Sequence, residues 1–182
     1  MVIIDMYSMA MERTTGPEAP TTGYLVWRLA LKWRALVDRA VAPVGLTHAQ
    51  YSVLASLYGL SRAGRRPSQR ELGDVCGLDP MYVSKLVRAL ERNGLIERDP
   101  NPADPRAVQL RVTPRGLEVV TAAMRVVREL EEQRLAPLGG RTSQRAAELR
   151  EALKVLLEDA DRTADLSTVP NAPTEARSRN EP

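Results

Sequence analysis

The sequence predicts a mainly α-helical fold with one small β-hairpin, and three observations carry that prediction. Apolar residues recur at helical spacing through most of the central chain. The 182 residues include no Phe, 2 Trp and 5 Tyr, so Leu, Val and Ala must build the core, which favours helices over a large sheet. Residues 104–116, Asp-Pro-Arg-Ala-Val-Gln-Leu-Arg-Val-Thr-Pro-Arg-Gly, have the pattern of a turn, a short alternating strand and a helix start.

Composition and length limit the class of protein. A chain of this length fits one domain with additional tails. No apolar run approaches the roughly 18 residues of a membrane span. The first residues lack the basic leader of a secretory signal. The single cysteine cannot form a disulfide within the chain. We therefore expect a cytoplasmic protein with no membrane partner.

Both ends of the sequence differ in composition from its centre. Residues 1–22 contain Gly, Pro, Thr and several Met without periodicity, and we predict a flexible tail there. Residues 163–182 are rich in Pro, Thr, Ser, Asn and charge, and we predict disorder. Residues 23–162 between them are predicted to form one domain.

The first two helices are marked by their ends. Tyr24–Val41 has apolar residues at helical spacing and is closed by Pro43. Thr47-His-Ala-Gln50 has the pattern of a capping box, in which each end residue bonds the backbone N–H of the other. It predicts a second helix that extends to about Leu60.

The next two helices are shorter and follow each other closely. Ser68-Gln-Arg-Glu71 is another capping-box pattern, and the helix that it opens should stop near Cys76. Asp79 followed by Pro80 is an N-cap with proline at the first helical position. Asn93-Gly94 is a typical C-terminal stop, so the fourth helix should end there.

The rest of the domain is predicted as a hairpin and two long helices. Residues 95–99 and 107–112 have strand patterns and are joined by residues 100–106. Helices should follow from Gly116 to about Leu135 and from Ser143 to about Ala160.

The third and fourth helices, joined by a short turn with glycine, have the pattern of a helix-turn-helix. In the fourth, Val83, Leu86, Val87 and Leu90 predict one buried stripe. Residues 61–116 hold eleven Lys or Arg against seven Asp or Glu, whereas residues 117–182 carry a net charge of −2. This positive surplus on a helix-turn-helix is typical of a protein that binds duplex DNA.

We predict the DNA contacts from the exposed face of the fourth helix and the start of the third. On the fourth helix, Met81, Ser84 and Lys85 should contact bases and Arg88 a phosphate, because a recognition helix enters the groove by its N-terminal part. The full set on these helices is Ser68, Gln69, Arg70, Pro80, Met81, Tyr82, Ser84, Lys85 and Arg88. The alternative is that these side chains form an ordinary solvated helix surface.

The hairpin has the place of a wing beside this recognition helix. Pro102 and Pro105 stiffen its loop, and Arg106 lies at or near the tip. A guanidinium there suits the narrow minor groove of DNA, where negative potential is concentrated. Asp104 can orient that arginine through a charge-assisted hydrogen bond. An ordinary turn aspartate and a surface arginine are the alternative.

With these motifs the chain resembles the MarR family of winged helix-turn-helix transcriptional regulators, over roughly residues 23–160. The family's wing signature, an Asp-x-Arg followed by a strand and a Leu-Thr-x-x-Gly-like turn, is matched by Asp104, Arg106, Leu110, Thr113 and Gly116. Val112 stands where the family has leucine before the threonine, which is a conservative difference. The resemblance implies a homodimer that reads pseudo-palindromic double-stranded DNA, often as a repressor, and hence a protein associated with the nucleoid.

The apolar spacing also predicts a dimer without the resemblance. Helices 24–41, 116–138 and 143–160 carry more apolar surface than the DNA-binding core, residues 61–116, can cover. The repeating positions are Leu117, Val120, Met124 and Val127, and then Ala146, Leu149, Leu153 and Leu156. The alternative is that these residues fill a monomeric core.

In similar proteins a small, often aromatic, ligand binds between the dimer helices and the winged module. The resemblance therefore directs attention to aromatic and cationic residues near that junction. The candidates are Trp27, Arg28, Arg34, His48, Tyr51 and Tyr58. Each could instead be a packing residue: Trp27 and Tyr58 are expected in the core, and His48 is expected to be exposed.

Other chemistries lack the residues that they need. One His and one Cys cannot form the usual nitrogen and sulfur metal site, so we expect no metal and no cofactor. No set of nucleophile, base and orienting residue points to an enzyme. Cys76 is expected to be a small buried residue rather than an oxidant sensor. A winged helix that binds protein instead of DNA is the competing hypothesis, and it predicts an apolar recognition face.

Overall fold

The computed structural model describes residues 20–101 and 104–167, without the side chains of residues 104–107 and 163–167. These residues form six α-helices and a two-stranded sheet. The elements are α1 (Thr22–Val41), α2 (His48–Arg62), α3 (Gln69–Cys76), α4 (Pro80–Arg92), β1 (Ile96–Asn101), β2 (Asp104–Val112), α5 (Pro114–Leu135) and α6 (Gln144–Ser167). Short 3-10 turns follow α1 and α5. A mainly helical winged fold is therefore confirmed.

Side chains at the helix starts fix the positions of α2 and α3. Thr47 and Gln50 exchange the two bonds of a capping box, with N–H to oxygen distances of 2.9 and 3.3 Å. Ser68 and Glu71 do the same at 2.7 and 3.2 Å. Both predicted capping boxes are confirmed, because the motif is satisfied by residues three apart and needs no tertiary contact.

The outer helices are longer than their sequence patterns predicted. Helix α1 begins at Thr22, since the Thr21 hydroxyl accepts a bond from the Tyr24 N–H at 3.3 Å. Helix α6 continues to Ser167, past the predicted end near Ala160 and into the predicted tail, because no Pro or Gly interrupts it there. The rest of the predicted tails lies outside the described residues, and the domain boundaries stay a prediction.

The chain divides into two compact units, residues 1–130 and 131–182. The core of the first is a cluster of buried apolar side chains: Val37 and Val41 of α1, Val53, Leu54 and Leu57 of α2, Leu72 of α3, Val83, Leu86, Val87 and Leu90 of α4, Leu95, Ile96 and Leu110 of the hairpin, and Val120 and Ala123 of α5. In the second unit, Arg141 donates its backbone N–H to Glu132 and Ala146 is buried.

The wing is a longer hairpin than predicted. Strands β1 and β2 are antiparallel, with Ile96 opposite Val112 and Pro100 opposite Val108, and the register shifts after Pro100. Both strands extend into residues 100–106, which were predicted as a loop; residues 102 and 103 lie outside the described part. The alternation of apolar and polar residues that predicts a strand stops at Pro100 and Pro105. The two strands nevertheless remain paired there, because proline is tolerated in an edge strand.

Further contacts at both ends fix the wing to its neighbours. The Leu110 N–H donates to the Pro67 carbonyl at 2.9 Å, and Ser68 forms a bridge with Gln109. At the other end, the Thr113 hydroxyl donates to the Gly94 carbonyl at 2.7 Å and accepts from the Gly116 N–H at 2.9 Å. The start of α3, the end of α4 and the start of α5 are therefore all joined to the hairpin.

Candidate nucleic-acid interface

Helix α4 has one buried and one exposed face. Its buried stripe is the predicted one: Val83, Leu86, Val87 and Leu90 are at most 7% exposed. On the other side Pro80, Met81, Tyr82, Lys85 and Arg88 are exposed, and Ser84 is half-buried. The residues predicted to contact DNA thus lie on a free surface of the single chain, and two of them are cations.

Asp79 fixes the start of this helix. Its carboxylate oxygen accepts bonds from the backbone N–H groups of Met81 and Tyr82, at 2.9 and 3.1 Å. Pro80 lies between Asp79 and Met81. It lacks an N–H group and its φ is fixed, and both properties suit the first helical position. Because these N–H groups are already bonded, contacts from this turn must come from side chains.

The start of α3 lies beside the wing rather than apart from it. Ser68 and Gln69 are half-buried and Arg70 is exposed. Hydrogen bonds from the backbone and side chain of Ser68 lower the pKa of Glu71, so the capping carboxylate stays charged. The capping box uses the N–H groups of Ser68 and Glu71. Arg70, which belongs to no ion pair among the described residues, is the predicted contact here that could offer a positive charge to a phosphate.

The wing carries an ion-pair cluster that the sequence analysis did not identify. Arg111 on β2 donates to Asp99 at 3.0 Å and also pairs with Glu97 on β1. The hydrogen bond to Asp99 and the charge of Glu97 raise the pKa of Arg111. Arg98 pairs with Glu91 of α4 at 3.0 Å. Once a hairpin is predicted, its cross-strand register is the signal that would have found the Glu97 and Arg111 pair.

The wing-tip pair is placed only by its backbone. Asp104 and Arg106 lie in β2, beyond the register shift. Their side chains are outside the described residues. Their assignment to the minor groove therefore stays a prediction.

The predicted ligand residues occupy different environments. Trp27 is 54% exposed on α1, not in the core, because it lies in the part of the helix that precedes the core positions Val37 and Val41. Arg28 donates to the Tyr24 hydroxyl at 3.1 Å. Tyr51 and Tyr58 are half-buried and pack against the core.

His48 is half-buried rather than exposed. It is the first residue of α2, and its backbone N–H donates to the Asp38 carboxylate of α1 at 2.8 Å. Burial and the charge of Arg34 lower the pKa of His48, and Asp38 opposes that shift. The contact with α1 explains the burial that local sequence could not reveal.

Two of the open cavities formed by the described residues lie on the first unit. One, of about 700 Å³, is lined by the end of α4, β1 and the start of α5. The other, of about 430 Å³, lies between the turn after α1, the end of α4 and the start of α5. Neither is lined by any of the six predicted ligand residues.

The predicted dimer helices differ in how much apolar surface they leave free. On α5, Val120 is buried and Met124 and Val127 pack against the core, so the monomeric alternative is correct for these three residues. On α1 and α6 many large apolar side chains are at least 36% exposed: Leu25, Val26, Trp27, Leu29 and Leu31 on the first, and Leu149, Val155, Leu156 and Leu157 on the second.

Other site types find no support in the described part of the chain. Its His, Cys, Asp and Glu residues form no group of three that could hold a metal ion. Cys76 is half-buried against the core, less buried than expected. No helix among the described residues is both long and apolar enough to cross a membrane.

Comparisons with known proteins agree with this architecture. The MarR family profile matches residues 46–108. The chain is 36% identical over 118 residues to YdcH, an uncharacterised HTH-type transcriptional regulator of Bacillus subtilis, covering 65% of this chain and 80% of that protein. It is similar to apo MarR from E. coli, with 27% identity, a TM-score of 0.63 and coverage of 78% and 99%. A MarR mutant complexed with operator DNA gives 27% identity, a TM-score of 0.65 and coverage of 74% and 92%.

Proposed function

Since the chain belongs to the MarR family of winged helix-turn-helix transcriptional regulators, we propose that it binds a pseudo-palindromic operator as a homodimer and represses transcription until a small aromatic or phenolic ligand releases it. Members of this family regulate transcription, so the protein is a DNA-binding regulator and not an enzyme. The operator, the dimer, the repressor role and the ligand are the parts that we propose.

The observation that carries the proposal is the exposed face of α4. Lys85 and Arg88 are exposed on it, and neither belongs to an ion pair among the described residues. Free cations on a recognition helix attract phosphates and the acceptor atoms of guanine. A protein-binding winged helix would instead present an apolar face, which these two residues interrupt.

The dimer is supported by the exposed apolar residues of α1 and α6. Each helix alone leaves several large apolar side chains in water, and a second copy of the chain could cover them. A two-fold dimer would place two α4 helices in successive major grooves, about 34 Å apart. A ligand that favours a different spacing would weaken DNA binding without touching a DNA contact.

The ligand proposal rests on aromatic and cationic residues of α1 and of the start of α2. Trp27 offers an exposed ring, and Arg34 offers a positive charge close to His48. An aromatic acid could use both kinds of group. Titrating aromatic acids and phenols into the preformed DNA complex tests this part, and the complex should dissociate with at least one of them. If every compound leaves the complex intact, the ligand proposal is wrong.

The DNA proposal is tested by binding of the purified protein to the intergenic DNA upstream of its own gene. Unrelated DNA serves as competitor, and two salt concentrations are compared by gel shift. We expect a specific complex that weakens steeply as salt rises, because bound cations release counterions from the DNA. A complex that is insensitive to salt, or no complex above competitor, would count against an operator at this place.

Arg106→Ala tests the proposed role of the wing in the same assay. Loss of a minor-groove guanidinium should weaken specific binding at least about tenfold. Arg134→Ala, a change of an exposed arginine in the last turn of α5, is the matched control and should bind as wild type does. Unchanged binding by Arg106→Ala would show that the role assigned to Arg106 is wrong.

A further inference from the structure

Met81 is an unusual residue for an exposed helix start. Its side chain is 80% exposed, more than any other large apolar side chain of the described residues. It lies at the second position of α4, whose remaining large aliphatic residues are buried in the core. An exposed methionine contributes nothing to that core, so the fold itself does not account for it.

The position of Met81 on α4 determines which residues share its face of the helix. Residues 81, 84, 85 and 88 are three, four and seven apart and therefore share one face of the helix. That face begins with the apolar Met81, continues with Ser84 and Lys85, and ends with the exposed cation Arg88. If α4 enters the major groove by its N-terminal part, Met81 is the deepest residue and Arg88 remains near the backbone phosphates.

The backbone around Met81 is fixed and already bonded. Its N–H group donates to Asp79 at 2.9 Å, and Pro80 precedes it. Met81 consequently offers the DNA only its flexible, apolar side chain. The partner of such a side chain must be apolar too, because a polar base edge covered by a thioether loses its water without gaining a hydrogen bond.

The floor of the major groove offers one apolar group. Guanine and adenine present acceptors and an amino group there, cytosine presents an amino group, and thymine alone adds a methyl group. We propose that Met81 is a specificity-determining residue that contacts the 5-methyl group of a thymine in each half-site of the operator. This inference rests on the proposed function, because it needs α4 to lie in the major groove.

Replacing thymine by deoxyuracil tests the contact at the level of one methyl group. In the operator found by the binding assay above, each thymine is replaced singly, and dissociation constants are measured by fluorescence anisotropy. For the wild-type protein we expect one thymine position in each half-site to be sensitive. The affinity should fall about fourfold there, the factor that burial of one methyl group contributes.

Variants of Met81 assign that sensitivity to this side chain. In Met81→Gln, which has similar length but a polar end, loss of the thymine methyl group should no longer weaken binding. Met81→Leu should retain most of the fourfold effect, since it keeps an apolar contact. Ser84→Ala, on the same face, should keep the full effect. Met81 is exposed, and Ser84→Ala only removes a hydroxyl from a half-buried position, so thermal unfolding should show that all three variants are folded.

Failure of this inference can be distinguished from failure of the proposed function. If the wild-type protein binds its operator specifically but tolerates every thymine replacement, the Met81 contact is wrong while operator binding stands. The same conclusion follows if Met81→Gln keeps the sensitivity to the methyl group. If the protein forms no specific complex with DNA, both the inference and the proposed function are overturned.

Discussion

Helix α4 buries all of its large aliphatic residues except Met81 and exposes its cations, whereas helices α1 and α6 each leave several large apolar side chains exposed. Val83, Val87 and Leu90 are fully buried, but Leu29 and Leu156 are each 54% exposed. Both patterns are amphipathic in sequence. The difference lies in whether the single chain supplies something to cover the apolar stripe.

One region of the molecule is fully packed within a single chain, whereas the apolar faces of α1 and α6 are not covered. The DNA-facing region, residues 68–116, has satisfied helix caps, a paired hairpin and a buried core. The apolar residues of α1 and α6 lack such cover in the single chain, and exposed apolar patches mark interaction surfaces. We therefore expect mutations of tightly packed residues in the first region to change folding, and mutations of the exposed apolar residues of these helices to change assembly.

The largest effect on stability is expected at the end of the DNA-facing region, where Gly116 packs against Leu95. A Cβ atom at Gly116 would lie 1.9 Å from the Leu95 carbonyl oxygen, a backbone atom that cannot move aside alone. Gly116→Ala should therefore lower the free energy of unfolding by about 3 kcal/mol, as overpacking of a tight site does. Urea denaturation followed by circular dichroism measures this change.

Gly59→Ala is the matched control for that substitution. Gly59 lies in the exposed part of α2, and a Cβ atom there meets nothing within 4 Å. Alanine should therefore leave stability unchanged or raise it by about 0.5–1 kcal/mol, the usual gain from Gly to Ala within a helix. Equal stability of the two variants would contradict the tight junction between Leu95 and Gly116.

A smaller effect is expected from a charge on the exposed face of α6. Leu156→Glu should leave the protomer folded but raise the dissociation constant of the dimer at least about tenfold, or about 1.4 kcal/mol. A buried, unpaired carboxylate is costly in an interface. Analytical ultracentrifugation over a concentration series measures the dissociation constant.

Val75→Glu controls for exposure alone. Val75 of α3 is 54% exposed, as Leu156 is, but it belongs to the DNA-facing region. It should therefore leave the oligomeric state unchanged. If both variants dissociate the dimer alike, or neither does, the separation of the two kinds of surface fails.

The smallest effect is a pH dependence at the α1–α2 junction. Burial lowers the pKa of His48 from its ordinary value of 6.5, so the unfolded chain binds this proton more readily than the folded one. Above about pH 6.5 His48 is neutral in both states, and the free energy of unfolding is not reduced by its protonation. The free energy of unfolding decreases as the pH falls from that value through the lower pKa of the folded state. Thermal denaturation of the wild type should show this decline.

His48→Gln should show a smaller loss of stability between pH 7.5 and pH 5.5 than the wild type. The carboxylates that titrate at lower pH remain in both proteins, so the difference between the two curves reports His48 alone. Parallel curves would mean that the contact with α1 does not perturb this imidazole.

Local motifs explain which parts of the fold were predictable. The caps at Thr47, Ser68 and Asp79 are satisfied by residues two or three positions away, so the sequence defines them completely. The predicted ends of α6 and of the strands were less accurate, since strand pairing and the helix itself continue past the point where apolar periodicity ends. The α3-to-wing bridge at Gln109 joins residues far apart in the chain and had no local signal.

The same distinction applies to the candidate site. Periodicity placed Met81, Lys85 and Arg88 on the exposed face of α4, because a helix with one buried stripe leaves the opposite face in water. It could not place Trp27 or His48, whose burial depends on what packs against α1 and α2. The ion pairs of Arg111 required the register of the hairpin.

The sequence by itself determined the helix starts, the buried stripe of α4, the hairpin and the family, because each depends on spacing within a short segment. Only the tertiary structure decided which apolar stripes have a partner. Val120, Met124 and Val127 of α5 pack on the core, while Leu25, Leu29 and Leu156 stay exposed. The physical reason is that periodicity reveals an apolar face, whereas its burial depends on residues distant in the chain.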